Sequence, residues 1–215
     1  MKTILFLAFS LLIQINSQAQ KTLIGFTAGV TSSNFKFSNN SISGNGDRAT
    51  SFTAGMQLDF PIGKDWNIET GLNYLQKGTL VNDDNITLPT SSSIKVNYVE
   101  VPLNLLYAVP AKKGNFIIGS GISTAFGISG KNKIKDNNGT EESTVKFGST
   151  QDDDIRRFDF GVNLIAGYHF KNGCLVSAIY NFGLKNLLPE MTESENVKLR
   201  SNYFGLKIGY LFAAN

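Results

Sequence analysis

Two residue types that commonly carry out chemistry occur once each: His169 is the only histidine and Cys174 the only cysteine. Nucleophilic catalysis by serine or cysteine needs a neighbouring base, most often histidine, and a structural zinc site needs several histidine or cysteine ligands. His169 stands beside a predicted turn at 171–173, where we expect a local role at a turn or an interface. Cys174 is predicted to be a half-buried strand residue. We therefore expect no catalytic residue, no cofactor site and no metal site, and a protein that is not an enzyme.

One acidic run offers a second kind of chemistry. Asp152, Asp153 and Asp154 are adjacent, and three neighbouring carboxylates could help to coordinate calcium. The run lacks the alternating ligands and the glycine turn of an EF-hand loop, so a solvated charged loop is the favoured interpretation. Arg156 and Arg157 follow directly, and their guanidinium groups are suited to contacts with phosphates.

The elements that position these residues are predicted to be strands. Beyond residue 19 the chain alternates apolar and polar residues, which is the periodicity of a strand with two different faces. In the segment 156–170, for example, Phe158 and Val162 share one face and Asp159 lies on the other, where Ile165 is the apolar exception. Eight such segments are predicted, at 22–31, 50–60, 66–77, 94–109, 115–128, 156–170, 174–184 and 200–212.

The length and composition of these segments favour a membrane barrel. Most reach the roughly 9–11 residues that a tilted strand needs to cross a bilayer, and no later stretch is apolar for long enough to be a membrane helix. Aromatic residues gather near the segment ends, where headgroup girdles lie, and the polar face is rich in glycine and isolated charges. A soluble barrel with the same alternation is the alternative. The predicted fold is all-β: an eight-stranded antiparallel up-and-down transmembrane β-barrel.

The predicted connections alternate in length. Short turns at 61–65, 110–114 and 171–173 alternate with long loops at 32–49, 78–93, 129–155 and 185–199. Outer-membrane barrels have short periplasmic turns and long outer loops, so this alternation places both termini on the periplasmic side. We expect the longest loop, 129–155, to be partly disordered, because it is polar and rich in Asn, Lys, Asp and Gly.

Five charged residues fall on the lumen-facing side of the predicted strands. Charges in a narrow interior must be paired or hydrated, and eight strands leave room for side chains and little else. We therefore predict a structural polar network inside the barrel, with a proton or ion path as the alternative. Lys77 is expected at a height similar to that of Glu100. The predicted network consists of Glu69, Lys77, Glu100, Asp159 and Lys207.

The N-terminal segment has the features of a secretory signal. Lys2 precedes an apolar stretch at 4–15, and the small residues Ser17 and Ala19 occupy the −3 and −1 positions of a cleavage site. We expect cleavage after Ala19, which gives a signal peptide at 1–19 and one barrel domain at 20–215.

Three motifs resemble an outer-membrane β-barrel family. Tyr98, Glu100 and Pro102 resemble the Y-x-E-(apolar)-P strand of the PorT-like type of that family. The run from Arg157 to Gly161 resembles its R-F-D-(apolar)-G strand, and 205–212 is similar to its closing strand. The resemblance spans the mature chain, and it implies an eight-stranded barrel of OmpA/OmpX-like architecture in the outer membrane of a Gram-negative bacterium. The founding PorT-like members are linked to secretion of surface proteins, a role we do not transfer.

These observations predict a non-enzymatic membrane scaffold or interaction module that acts through its extracellular loops. A narrow channel for ions or small solutes is the alternative. The expected partners are outer-membrane lipid and lipopolysaccharide, together with proteins at the outer loops or the periplasmic face. The formal net charge of +3 gives no reason to expect nucleic acid as a partner.

Overall fold

The computed structural model describes residues 21–38, 43–83, 90–136, 139–150, 152–189 and 197–214. The predicted signal peptide, 1–19, lies outside these residues. No helix in the described part of the chain is long and apolar enough to cross a membrane. The described strands are β1 (Leu23–Ser38), β2 (Ser43–Asn45), β3 (Asp47–Pro61), β4 (Trp66–Asp83), β5 (Thr90–Ala111), β6 (Gly114–Asp136), β7 (Gly139–Thr144), β8 (Phe158–Phe170), β9 (Cys174–Gly183) and β10 (Lys198–Ala213).

Eight of these strands form a closed ring. The order is β10-β9-β8-β6-β5-β4-β3-β1, and β1 pairs in turn with β10, from Leu23 opposite Ala213 to Ser38 opposite Lys198. Every pairing between named strands is antiparallel. The short strands β2 and β7 extend the sheet by pairing with β1 and β6. The prediction of an eight-stranded antiparallel up-and-down barrel is confirmed.

The strands extend further into the long connections than the sequence predicts. Residues predicted as loop at 32–38, 78–83 and 129–136 continue β1, β4 and β6 without interruption. The apolar alternation stops at these points, but backbone pairing with the neighbouring strand continues and satisfies the peptide groups. We call this end of the barrel the long-loop end, and the opposite end the short-turn end.

Most of the connection 129–155, for which we expect partial disorder from the sequence, has defined structure. Residues 137–138 and 151 lie outside the described residues. The remainder contains the end of β6, its partner β7, and a stretch in which Val145 and Ile155 are buried. Polar composition concealed this order because few apolar side chains, among them Val145, Phe147 and Ile155, anchor the segment to the barrel.

The two faces of the wall follow the predicted alternation. Along β8, Asp159 and Asn163 are buried in the interior, whereas Leu164 points outward and is 51% exposed. Ile208 on β10 is 66% exposed on the same outward side. Outward aromatic rings pair near both ends, as in Trp66 with Tyr107 at the short-turn end. An outer wall this apolar suits lipid rather than water as its surroundings.

Glycine permits the close approach of β1 and β10. A Cβ atom at Gly25 or Gly29 would meet the backbone carbonyl of Tyr210 or Leu206 across this seam. Gly173 has a different role, because its φ of 92° in the 171–173 turn is a conformation that glycine adopts without strain. Backbone contact across the seam therefore explains Gly25 and Gly29 on the polar face of β1.

Candidate functional site

A buried ion pair crosses the interior near the long-loop end. Lys77 on β4 and Asp159 on β8 lie with Nζ and Oδ2 2.8 Å apart, and each side chain is 2% exposed. Ser201 on β10 joins them, because its hydroxyl donates to Asp159 and lies 3.2 Å from the Lys77 ammonium that donates to it. Three strands separated along the chain thus supply one charged cluster. Alternation places each of these side chains inward, and closure of the ring brings them together.

Two tyrosine rings flank the ammonium group. Lys77 Nζ lies 5.3 Å from the ring centroid of Tyr98 and 5.1 Å from that of Tyr203. These are cation–π distances, and such contacts strengthen when the cation is removed from water. The Tyr203 hydroxyl donates to Glu100, at 3.1 Å from each carboxylate oxygen. Tyr203 therefore lies between the cation and a second buried carboxylate.

The strand register corrects the expected height of Lys77. Glu100 lies opposite Asn73, whereas Lys77 lies opposite Val96. Four residues of strand separate the two positions, which is about 13 Å along the strand. Lys77 therefore lies nearer the long-loop end than Glu100 does, and its ion-pair partner is Asp159.

The other predicted network residues lie nearer the short-turn end. Asn104 donates to Glu69 with its Nδ2 atom 2.7 Å from Oε1, and the charge of Lys207 acts on the same carboxylate. Of the five predicted residues, Lys77 and Asp159 form an ion pair, Glu69 is bound to Asn104, and Glu100 is bound to Tyr203. Whether all five work as one network stays a prediction.

A chain of amides that sequence reasoning missed connects the middle of the interior. Asn163 donates to Asn104 at 3.0 Å, and Asn181 donates to Asn163 at 2.8 Å and to Ser123 at 3.0 Å. All four residues are buried. Their inward positions follow from the same alternation that identified the charges. Strand alternation therefore predicts that these asparagines point inward, but the predicted network contained only charged residues.

His169 lies at the short-turn end of β8, beside the 171–173 turn, on the face that strand alternation predicts to be polar. It is the second-last residue of β8 and lies on the inward side, with Nδ1 3.9 Å from Oδ2 of Asp59. Gln57 donates to Asp59 at 3.0 Å. The histidine therefore belongs to a polar cluster inside the short-turn end, because an odd position on β8 faces the interior.

An apolar cluster fills the interior at the long-loop end. Val145, Ile155 and Leu187 come from two connections, and all three are buried. We call these three residues the outer stopper. Arg156 fastens the two connections, because its backbone N–H donates to Leu187 O at 2.7 Å and its Nε donates to Leu188 O at 2.7 Å. The stopper packs against wall residues Phe35, Val96, Tyr98 and Ala125.

The acidic run closes its own loop. Asp153 accepts a hydrogen bond from the Thr150 backbone N–H at 2.8 Å, and the Asp154 carboxylate accepts one from the Lys146 N–H at 2.8 Å. The Thr150 hydroxyl and N–H hold the pKa of Asp153 below its ordinary value, because both donate to its carboxylate. These bonds orient two of the three carboxylates toward backbone. Across the described ranges no group of three His, Cys, Asp or Glu residues is placed to hold a metal ion.

The two adjacent arginines have different surroundings. Arg156 is held by the stopper connections, whereas Arg157 is exposed and lies beside one aromatic ring of the outer wall and one of the connection after β7. Its guanidinium carbon is 5.5 Å from the ring centroid of Phe126 and 5.3 Å from that of Phe147. Of the two, Arg157 has the position from which a side chain could reach a lipid phosphate.

Comparison with known proteins agrees with this architecture. Residues 16–188 match the family described as outer membrane protein beta-barrel domain. Among solved structures, Ail, the attachment invasion locus protein of Yersinia pestis, is similar with 14% identity and a TM-score of 0.43, covering 90% of this chain and 100% of Ail. A second Ail structure contains the heparin analogue sucrose octasulfate.

Two other barrels are similar at the same level. The outer membrane protein OprG from Pseudomonas aeruginosa has 11% identity and a TM-score of 0.45, covering 90% of this chain and 97% of OprG. Neisserial surface protein A has 11% identity and a TM-score of 0.41, with 87% of this chain and 97% of that chain covered. No curated protein sequence matches the chain significantly. The family match covers most of the sequence, and the chain belongs to the outer membrane protein β-barrel domain family, as an eight-stranded barrel located in the outer membrane.

Proposed function

We propose that this barrel is a non-enzymatic scaffold or interaction module whose long-loop end faces outward and contacts its partners. The outer stopper is the observation that carries the proposal. Its three apolar side chains come from connections at the long-loop end and pack into the mouth of the barrel. Because the mouth of the interior is filled, we place the binding function on the surface of the loops. Loops on a rigid scaffold commonly carry binding residues.

The interior supports the same proposal. Lys77 and Asp159 are bonded to each other and to Ser201, and the amides of Asn104, Asn163 and Asn181 are bonded in series. Side chains fixed in this way fill a narrow lumen and hold the wall together. Side chains with this structural role do not require a solute to pass through the interior.

A narrow channel is the second candidate. The observation that favours it is the succession of buried ionisable groups through the interior, from Asp59 near the short-turn end, past Glu100, to Lys77 and Asp159. Buried charges are costly, and in membrane proteins they often mark a path for ions or protons. Planar-bilayer recording separates the candidates, because steady conductance of the folded barrel favours the channel.

The interaction proposal predicts crosslinks from the long-loop end that the short-turn end does not form. A photo-crosslinking amino acid at Ser149, an exposed residue in the connection after β7, is expected to yield adducts of defined mass in intact cells. The matched control is the same amino acid at Lys112, which is exposed in a short turn. Failure of a folded Ser149 variant to form adducts, or identical adducts from both positions, would contradict the proposal.

We also propose that residues 1–19 are an export signal and that the barrel domain spans 20–215. Lys2, the apolar stretch and the small residues before position 20 support this division. Intact mass measurement of the protein from purified outer membranes is expected to give Gln20 as the first residue. A mature protein that retains Met1 would exclude cleavage.

The PorT-like type is proposed within the family. Tyr98 and Glu100 of the first motif and Asp159 of the second lie around Lys77 and Tyr203 in the interior. The first two motifs therefore supply residues of one packed interior cluster. This supports the proposal that the barrel has the same interior as the PorT-like type. Proteins at the short-turn end are further proposed partners.

A further inference from the structure

A row of lysines lies on the outward face of the sheet at the long-loop end. Lys95 on β5 is directly opposite Lys131 on β6, and Lys133 and Lys135 follow on the same face of β6. All four are exposed. We call these four residues the lysine ladder. They lie on the outward face of β5 and β6. Nearer the middle of the barrel wall, the same face of these strands carries exposed apolar side chains.

The position of the ladder relative to the apolar wall indicates which layer of the membrane surrounds it. On β5 the outward residues Leu103 and Val101 are exposed apolar side chains, and Lys95 follows six residues beyond Val101. On β6 the outward Phe126 and Ile128 precede Lys131. Because the apolar band of such a barrel is about 25 Å tall, the ladder begins where the wall leaves the hydrocarbon and enters the headgroup and sugar layer.

The ladder carries more positive charge than its acidic neighbour offsets. Glu142 on β7 forms an ion pair with Lys133 and a longer one, 3.4 Å, with Lys131. Within the described part of the chain, Lys95 and Lys135 have no ion-pair partner. One carboxylate against four ammonium groups leaves a basic surface that favours an anionic ligand.

A groove beside the ladder adds hydroxyl groups to the ammonium groups. It has a volume of about 260 Å³ and lies where β4, β5, β6 and β7 meet. Serine and threonine hydroxyls can bond to sugar hydroxyls and phosphate oxygens, lysine ammonium groups pair with phosphate, and a leucine can cover an apolar sugar face. The residues that line it on the outward face are Leu80, Ser91, Ser93, Lys133, Lys135 and Thr140.

We propose that the lysine ladder and this groove bind the phosphorylated sugars of lipopolysaccharide in the outer leaflet. The inference rests on the proposed function, because it places a partner at the long-loop end. A lipid-borne phosphate is favoured over a soluble one because the ladder faces sideways from the barrel, directly above the lipid-facing wall. Bound headgroups would then fix the depth and orientation of the outer connections in the membrane.

The test compares two sets of three lysines in the full-length mature barrel. The ladder variant carries Lys95→Gln, Lys133→Gln and Lys135→Gln, and the matched control carries Lys112→Gln, Lys113→Gln and Lys171→Gln at the short-turn end. Affinity is measured in detergent solution for purified lipopolysaccharide and for the same lipopolysaccharide after enzymatic removal of its phosphates. Heat-modifiable gel mobility verifies that each variant is folded.

The ladder variant is expected to bind intact lipopolysaccharide roughly tenfold more weakly, because three exposed charge pairs are removed. The control is expected to stay within about twofold of the wild type, since its lysines face the opposite side of the membrane. The dephosphorylated lipid should bind the wild type as weakly as the intact lipid binds the ladder variant. Equal affinity of ladder variant and wild type, or no effect of dephosphorylation, overturns the proposal.

The crosslinking test at Ser149 keeps the two proposals distinguishable. Ser149 adducts with unchanged lipopolysaccharide affinity of the ladder variant would remove this inference and leave the interaction module standing. Loss of lipopolysaccharide affinity in the ladder variant, with no Ser149 adduct, would leave a lipid-binding barrel and remove the wider proposal.

Discussion

Replacing Asp159 with asparagine is expected to lower the free energy of unfolding of the barrel by about 3–5 kcal/mol, the usual effect of removing one partner of a buried ion pair. The reason is that Lys77, 2% exposed, would lose the carboxylate with which it is paired. The rings of Tyr98 and Tyr203 offset part of this loss, by up to about 2 kcal/mol for a desolvated cation–π contact. Urea titration in lipid vesicles, followed by fluorescence of Trp66, the single tryptophan, measures the change.

The double variant Lys77→Met with Asp159→Asn is the control for this prediction. It removes both charges, keeps an acceptor for the Ser201 hydroxyl and fills the volume of the lysine. Replacing a buried pair by neutral groups of similar volume is often neutral or stabilising, so we expect recovery to within about 1 kcal/mol of the wild type. A double variant as unstable as Asp159→Asn alone would show that packing, and not the unpaired charge, causes the loss.

Replacing Leu164 with arginine is expected to cost about 2–4 kcal/mol of unfolding free energy in a bilayer, as for a cation at the midplane of a barrel wall. Leu164 is the central residue of β8, points outward and is 51% exposed. In water such a surface substitution would be close to neutral. The same urea titration in vesicles measures the effect.

The matched control is Leu184→Arg. Leu184 is 47% exposed and follows the end of β9, so the same substitution is placed near the membrane interface. There the expected cost falls to about 0–1 kcal/mol, because the guanidinium can reach headgroups and water. Equal costs at the two positions, or no cost at Leu164, would contradict a lipid-facing wall centred on β8.

Much of the wall could be predicted because strand alternation is a local property. The chain shows which side chains of β8 share a face, and the structure confirms Asp159 inward and Leu164 outward. Ile165, the apolar exception on the polar face, is also inward, in an apolar cluster with Leu75 and Ile179. The exception arises because the interior of this barrel mixes apolar and polar layers, which alternation alone does not reveal.

The pairing of the interior charges could not be predicted in the same way. Lys77 and Asp159 are 82 residues apart in sequence, and their contact depends on how the strands are staggered around the closed ring. The expected height of Lys77 relative to Glu100 was wrong because short turns alone did not specify the register between β4 and β5. Stagger is a property of the whole ring.

The outer stopper could not be predicted from the sequence either. Val145, Ile155 and Leu187 stand in polar connections, where single apolar residues carry no periodic signal. Their burial depends on wall residues of β1, β5 and β6 and on the bonds that Arg156 makes to the 187–188 segment.

By itself the sequence determined the all-β class, the eight wall strands, the lipid-facing and interior sides, and the alternation of short and long connections. Each of these follows from spacing along one strand or from the composition of one connection. Only the tertiary structure decided which buried charges pair, which residues His169 contacts, how far the strands extend beyond the apolar wall, and what fills the mouth. These features depend on ring closure and stagger, which bring together residues that no local pattern relates.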